Sequence, residues 1–350
     1  MDIAIDCRFI GKSGIGTFIE SIVDELILGH PENRYLLVLN GELPVKWRMN
    51  NVNVLITDSK PFSMNELFSF PIKQINECDA FFTPYINVPG GVRIPVYTTI
   101  HDMLFFDVDG LTTLIGRFVR KLYYKRAIRK SSKVFTVSNF SKDRIKHQFP
   151  TDKEIVVVYN GVSTSIKKQQ AYRVEKKDYF VYVGNIKKHK GLKTLVDAYC
   201  LATRRGQTDK LLIVGNSESF RTSDGDVAGI ISNNPDIEFT GWVTNEKLTQ
   251  LIAEAKALIQ PSLYEGFGIP PLEALYLGTN VILSDIPVFK EIYTGLPVTF
   301  FEKGNSVQLS DILINYTPAA YDEEQIRKEI DQCYSYQNAA QTILHTITRL

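Results

Sequence analysis

Short β-branched and aromatic runs alternate with helix-patterned segments along nearly the whole chain, and the alternation runs through twice. In the first half the strand candidates are Ile3–Ile5, Tyr35–Leu39, Val52–Ile56, Ala80–Phe82, Val96–Ile100, Val134–Val137 and Ile155–Val158. After a polar stretch, Tyr179–Val183, Leu211–Val214, Ile237–Thr240, Ala257–Ile259, Val281–Leu283 and Val298–Phe300 resume the pattern. Strands separated by helices cannot pair as hairpins, so they imply parallel sheets with crossover helices. The helix after the first strand is explicit. Phe18, Ile19, Ile22, Val23, Leu26 and Ile27 recur at helical spacing, with Glu20, Asp24 and Glu25 opposite. Leu192, Leu195, Val196 and Tyr199, then Leu248, Leu251, Ile252 and Ala255, repeat the same spacing. The expected fold class is α/β, with two doubly wound domains facing each other. Such sheets bind ligands at the carboxyl ends of their strands, which would place a cleft between the domains.

The length of 350 residues suits two domains. The stretch Tyr159–Asp178, with Gly161 and Lys167-Lys168-Gln169-Gln170, reads as the linker, giving domains at 1–165 and 166–332. A net charge of +1 lacks the basic excess of a nucleic-acid binder. The four cysteines, at 7, 78, 200 and 333, have neither disulfide-framework nor zinc-site spacing. The chain opens directly on Ile3-Ala-Ile5, without the basic and apolar segments of a signal peptide, and no run is long enough for a membrane span. A cytoplasmic protein, either free or at the inner face of the membrane, is expected.

Glu265-Gly-Phe-Gly-Ile-Pro-Pro-Leu-Glu273 carries two carboxylates separated by seven residues that cannot all be one helix. Gly266 and Gly268 let the backbone turn tightly, and Pro270 and Pro271 suit a helix start. Glu265 is therefore expected on a loop. Glu273 is expected in the first turn of a helix from about Pro271 to Leu277, stopped by Gly278. The amides of Gly266, Phe267, Gly268 and Ile269 would lie at a positive helix N-terminus, which suits phosphate. Together the loop would cradle a sugar, a diphosphate and a ribose.

This segment, over its whole length from Gln260 to Gly278, resembles the E-x7-E signature of the retaining nucleotide-sugar glycosyltransferases of family 4, which have the GT-B fold of two facing Rossmann-like domains. The resemblance covers nearly the whole chain. Ile5-Asp6-Cys7-Arg8 followed by Gly14-Ile15-Gly16 is similar to the family's opening. Tyr182-Val-Gly-Asn-Ile-Lys-Lys-His-Lys-Gly191 resembles its phosphate-binding turn, with Lys190 at the lysine position and Asn185 where an arginine is usual. Asparagine brings no charge, so either Lys187 or Lys188 compensates or the diphosphate is held more weakly. His101-Asp102 resembles the His-Asp turn of mannosyltransferase-like members, whose histidine faces the donor sugar. A neutral imidazole there could hydrogen-bond a sugar hydroxyl, while Asp102 would orient the loop. Val137-Ser138-Asn-Phe-Ser141 and Tyr159-Asn160-Gly161 match further family phrases, for lining the cleft or for helix capping by Ser138 or Ser141.

The resemblance implies an acceptor-binding first domain and a donor-binding second one. It also implies a final helix, within 333–350 and around Tyr334-Ser-Tyr-Gln-Asn-Ala-Ala340, that packs back on the first domain. It further implies retention of configuration and a front-face reaction with no covalent nucleophile. Lys190, Glu265 and His101 would be the catalytic residues. Gly14, Gly16, Asn185, Lys190, Glu265, Gly266, Phe267, Gly268, Ile269 and Glu273 would bind the donor. The donor would be a nucleotide-diphosphate sugar, GDP-mannose-type in preference, and the acceptor a glycan or lipid-linked hydroxyl in surface polysaccharide biosynthesis. Alternatives are a nucleotide-sugar 2-epimerase of the same fold and a non-catalytic nucleotide-sugar-binding subunit.

Two D-x-D lookalikes, Asp107-Val-Asp109 and Asp224-Gly-Asp226, are discounted as metal ligands, because lysines and a helix terminus can neutralise a diphosphate. No metal and no cofactor are expected. Arg117, Arg120, Lys121, Lys125, Arg126, Arg129 and Lys130 crowd one helix with Phe118, Val119, Leu122, Tyr123, Tyr124 and Ile128. That helix either rests on an anionic membrane or presents a solvated basic face.

Overall fold

The computed structural model describes residues 1–11, 13–169, 174–215 and 225–349. They form two compact units: residues 1–160 with 334–350, and residues 161–333.

The first unit has seven parallel strands: β1 (Asp2–Asp6), β2 (Arg34–Leu39), β3 (Val52–Ile56), β4 (Ala80–Thr83), β5 (Val96–Thr99), β6 (Ser131–Thr136) and β7 (Ile155–Val157). Their order is β3-β2-β1-β4-β5-β6-β7. All seven fall where the β-branched runs lie. The sheet grows outward from β1 in one direction and then restarts at β4 in the other, so the connection reverses between β1 and β4. The helix Ser13–Gly29 buries Phe18, Ile19, Ile22, Val23, Leu26 and Ile27. Burying each such side chain stabilises the unit by about 1.5–3 kcal/mol. Tyr124, Ala127, Ile128 and Ile145 join Ala4, Phe81 and Val134 in a core cluster.

At the end of β1, Asp6 and Arg8 lie buried with Glu66 and Asn87. Arg8 donates from Nε and Nη2 to Asp6 (2.8 and 2.6 Å), from Nη1 to the Ser59 carbonyl (2.9 Å) and from Nη2 to Glu66. Asn87 Nδ2 donates to both carboxylates, at 2.8 and 2.9 Å. The Asp6 and Arg8 of the opening phrase are thus tied up in loop structure. Removing one member would strand a buried charge, which is more damaging than losing a surface ion pair.

The second unit has six parallel strands: β8 (Lys177–Val183), β9 (Lys210–Val214), β10 (Ile237–Gly241), β11 (Ala255–Gln260), β12 (Asn280–Ser284) and β13 (Val298–Phe301). The order β10-β9-β8-β11-β12-β13 reverses between β8 and β11. Phe180, Ile213, Ile259 and Ile282 meet Leu192, Leu195, Val196 and Tyr199 of the helix Leu192–Arg204, with Leu309 and Leu313 completing the cluster. Ala255, expected on a helix with Leu251 and Ile252, instead begins β11. The helix Asn245–Glu254 passes directly into the strand without a loop.

The expected linker is partly structured. Thr164–Gln169 is a helix of the second unit, with Ile166 buried and Lys167 paired with Asp331. Its lysines are polar, but one apolar anchor and one ion pair are enough to dock it. The division therefore falls at 160/161 and 333/334 rather than at 165/166 and 332/333. The helix Tyr336–Thr348 belongs to the first unit, where Tyr336 meets Phe18 ring to ring at 6.4 Å. All four cysteines are free.

Candidate functional site

In open parallel sheets, ligands bind outside the carboxyl ends of the strands where the connection reverses. In the second unit that point lies between β8 and β11, and the two sequence phrases singled out there follow these two strands. Gly184–Gly191 leaves β8, and Pro261–Gly268 leaves β11.

Three contacts lock the two loops together. Lys190 Nζ lies 2.6 and 2.8 Å from the two Glu265 carboxylate oxygens, as a partly buried ion pair. The His189 carbonyl accepts hydrogen bonds from the amides of Leu263 (2.8 Å) and Tyr264 (3.3 Å). Gly191, with a left-handed φ of 68°, passes against the Pro261 carbonyl. Ser262 Oγ adds a hydrogen bond to Glu265 at 2.8 Å, and Ser284 Oγ holds the Ser262 carbonyl at 2.5 Å. The carboxylate is thus oriented from two sides. Lys187 and Lys188, in the same turn as Lys190, are exposed.

The helix after the loop is Ile269–Tyr276, not Pro271–Leu277. Gly268, with φ 95°, breaks the chain two residues earlier than expected, and Tyr293 donates to its carbonyl. Pro270 and Pro271 fit inside the first turn because their fixed φ is helical and their missing N–H would be unpaired there anyway. Glu273 consequently sits in the second turn, not the first. An anion at this terminus meets amides that precede the prolines. Phe267 is buried as core, so it can serve only through its backbone.

Glu273 has no ion-pair or hydrogen-bond partner among the described residues. Burial pushes its carboxyl up to about 7. This partly covered carboxyl group would gain from hydroxyl hydrogen bonds, since these would offset its desolvation. His189, absent from the sequence reading as a site residue, is buried, with Nδ1 unpartnered. Burial, helped by Lys190, pulls it down to about 4. A histidine inside a lysine-rich turn is the only trace it leaves in the sequence.

In the first unit, His101 follows β5. Its Nε2 lies 2.8 Å from the Pro84 carbonyl, which can only accept, so Nε2 carries the proton and Nδ1 is left as an acceptor. Burial pulls it down to about 4, so it is neutral at pH 7. Ser141 Oγ holds the His101 carbonyl at 3.0 Å, and the Asp102 carboxylate accepts from the Leu104 amide at 3.0 Å. Asp102 therefore orients its loop. Ser138 caps the helix Asn139–Gln148 by accepting from the Ser141 amide. Gly14 and Gly16 lie in the first turn of the helix Ser13–Gly29, and a β-carbon on Gly16 would come within 2.7 Å of the Phe9 carbonyl. Close packing alone thus demands glycine at 16. The Asp107 carboxylate is occupied by Arg144 (2.6 and 2.8 Å) and Gln148 (2.7 Å), while Asp224 lies outside the described residues. Among the described residues, no group of three or more His, Cys, Asp or Glu side chains could hold a metal ion.

Comparison with known proteins bears directly on these loops. Residues 163–313, which carry both, match the family described as Glycosyl transferases group 1, and residues 75–166 match Glycosyltransferase Family 4. Two segments of the chain thus match glycosyltransferase family models. An O-antigen chain mannosyltransferase of Salmonella typhimurium, RfbU, is 32% identical over 209 residues, which is 56% of this chain and 54% of that protein. An O-antigen chain mannosyltransferase B of Escherichia coli is 27% identical over 56% of this chain and 54% of its own length. The chain thus spans about half the length of these curated relatives. Among solved structures, Anabaena Alr3699/HepE in complex with UDP and glucose superposes with a TM-score of 0.75 over 100% of both chains, at 18% identity. At that identity the likeness concerns the fold. No helix among the described residues is long and apolar enough to cross a membrane.

Proposed function

We propose that this protein is a retaining hexosyltransferase that passes a sugar from a nucleotide-diphosphate donor, GDP-mannose-type in preference, to a glycan or lipid-linked hydroxyl in surface polysaccharide biosynthesis. The observation that carries this reading is the Lys190–Glu265 pair at the switch point between β8 and β11. It sets a cation and an oriented carboxylate where such a sheet binds its ligand. The mannosyltransferase names of the relatives support the preference for mannose, and the UDP and glucose bound to HepE support a nucleotide-sugar donor. The epimerase and non-catalytic readings draw no support from these comparisons.

In this reading Lys190 gives its charge to the diphosphate, assisted by the loop amides from Gly266 to Ile269. Glu265 then accepts hydroxyl hydrogen bonds from the donor sugar, and Glu273 accepts them from the ribose. Gly14, Gly16 and Asn185 supply close backbone approach and a polar contact. Neutral His101 accepts a hydroxyl hydrogen bond at Nδ1. As the bond from the anomeric carbon to the phosphate oxygen breaks, its electron pair leaves with the diphosphate. The acceptor oxygen bonds to the same face and its proton passes to the departing phosphate. Positioning and charge stabilisation supply the rate, with no metal required. The test is incubation of the protein with labelled GDP-, UDP- and dTDP-sugars. Release of nucleoside diphosphate with transfer or slow hydrolysis of one donor is expected. Binding without turnover of any donor, or inversion at C2, would overturn the reading.

A further inference from the structure

The sheet of the first unit also reverses, between β1 and β4, and such sheets bind ligands outside the carboxyl ends of those strands. Three loops leave that edge, and each carries one aromatic ring: Phe9 after β1, Phe62 after β3 and Tyr85 after β4. The rings meet one another. Their centroids lie 4.9 Å apart for Phe9–Tyr85, 5.4 Å for Phe62–Tyr85 and 6.3 Å for Phe9–Phe62. The planes are inclined by 67, 75 and 57°, so the rings meet edge to face rather than stacked. All three are partly exposed, whereas Phe81, Phe82 and Phe135 in the strands are fully buried.

One buried network laces the same three loops. Asp6 and Arg8 come from the end of β1, Glu66 and the Ser59 carbonyl from the segment after β3, and Asn87 from the loop after β4. Glu66 also accepts from the Phe62 amide at 2.8 Å, and Tyr123 donates to the Phe62 carbonyl at 3.2 Å. These two bonds hold Phe62 at φ 63°, the one positive φ outside glycine among the described residues. A bulky residue rarely accepts that backbone strain, and where it does so the position is often a ligand site. Core packing gives no reason for it here, since the ring ends partly in solvent. At the rim, His101 lies 6.4 Å from Tyr85, ring to ring, and presents Nδ1 as an acceptor.

We propose that Phe9, Phe62 and Tyr85 seat the terminal sugar of the acceptor, a pyranose whose apolar face rests on the rings while a hydroxyl reaches His101. This rests on the transferase reading above. The carbon-bound hydrogens of a pyranose are made slightly positive by its oxygens, and the faces of aromatic rings are negative. An aromatic seat with a few polar groups at its edge is the usual make-up of a small-molecule site. A lipid chain would cover the rings equally well but leave His101 Nδ1 desolvated and unpaired. The strained backbone at Phe62 and the network beneath it keep the three rings in place before any ligand arrives.

The test uses the full chain and a panel of methyl pyranosides, first without sugar nucleotide, so that this arm is independent of the donor reading. Irradiating the aromatic protons of the protein should transfer saturation to carbon-bound protons of at least one glycoside. Phe62→Gly should lose that transfer and keep the fold, because glycine takes φ 63° without strain. Phe9→Leu, which keeps apolar bulk without a ring, should lose it too, and Phe9→Tyr should retain it. In the transfer assay, with the donor that the wild type turns over, Phe62→Gly and Phe9→Leu should raise the acceptor KM about tenfold. Donor KM and donor hydrolysis should stay unchanged, whereas a merely structural role would lower Tm and move both KM values together. No saturation of any pyranoside, equal saturation with wild type and Phe62→Gly, or binding of a prenyl phosphate in place of the pyranosides overturns the proposal. Turnover of no donor alongside intact glycoside binding would sink the transferase reading and not the sugar seat.

Discussion

A β-carbon on Gly191 would lie 1.9 Å from the carbonyl oxygen of Pro261, so the turn after β8 and the loop after β11 touch backbone to backbone. This contact sets the distance that lets Lys190 reach Glu265. Gly191→Ala combines that clash with a left-handed φ of 68°. The φ alone costs a non-glycine residue about 1 kcal/mol, and the clash adds more. A loss above about 2 kcal/mol is expected, read as a lower urea midpoint at unchanged slope. An unchanged midpoint would mean that the loops can separate freely.

Glu265→Gln should keep the fold and chiefly lower kcat, because the neutral amide retains the shape but weakens charge-assisted hydrogen bonds worth about 1.5–3 kcal/mol. Lys190→Ala should remove most of the affinity for nucleoside diphosphate and leave nucleoside binding nearly intact. The two changes should be non-additive, since each deprives the other residue of its partner. Calorimetric titration and steady-state kinetics on both single variants and the double variant would measure this. Full additivity would argue against a shared site.

The two perturbed histidines and Glu273 give opposite pH signatures. His101 and His189 titrate near 4 in the folded chain against 6.5 unfolded, so the unfolded state binds more protons between these values. Stability should fall as pH drops through that window. His101→Gln and His189→Gln should each flatten the slope of Tm against pH.

Glu273 works the other way. Its folded value of about 7 exceeds the ordinary 4.5, so the folded state holds the extra proton. Stability should fall as pH rises from 4.5 to 7 and stay lost above. Glu273→Gln should therefore raise Tm at pH 8 and leave it nearly unchanged at pH 4, while raising the donor KM. Equal effects of Glu273→Gln at both pH values would show that the carboxylate is already solvated.

Activity should persist in EDTA. Asp107 is committed to Arg144 and Gln148, and the guanidinium already balances the charge a cation would need. Loss of activity with chelator, restored by manganese, would reverse this expectation.

Thirteen strands lay where β-branched runs announced them, because a parallel strand buried on both faces must be continuously apolar. Boundaries were less legible where two rules met. Pro270 and Pro271 mark a helix start, but the actual start is set by Gly268, whose φ depends on Phe289 and Tyr293 from a later helix. The Lys190–Glu265 pair joins residues 75 apart, which no local pattern reveals, although each phrase was recognisable alone. His189 was invisible because its contribution is a backbone carbonyl. In the basic helix, composition records which charges are present, not that Arg117, Arg120 and Arg126 are already engaged with carbonyls and a ring.

The helix Tyr336–Thr348 covers the helix Ser13–Gly29, so the first unit is closed by residues made about three hundred positions after those they cover. During synthesis, the apolar face around Phe18 waits while an entire second sheet is made. Completion of the N-terminal half is therefore a late event. A ribosome stalled anywhere in the second unit leaves that face open to chaperones or to aggregation, whatever the quality of the sheet beneath it.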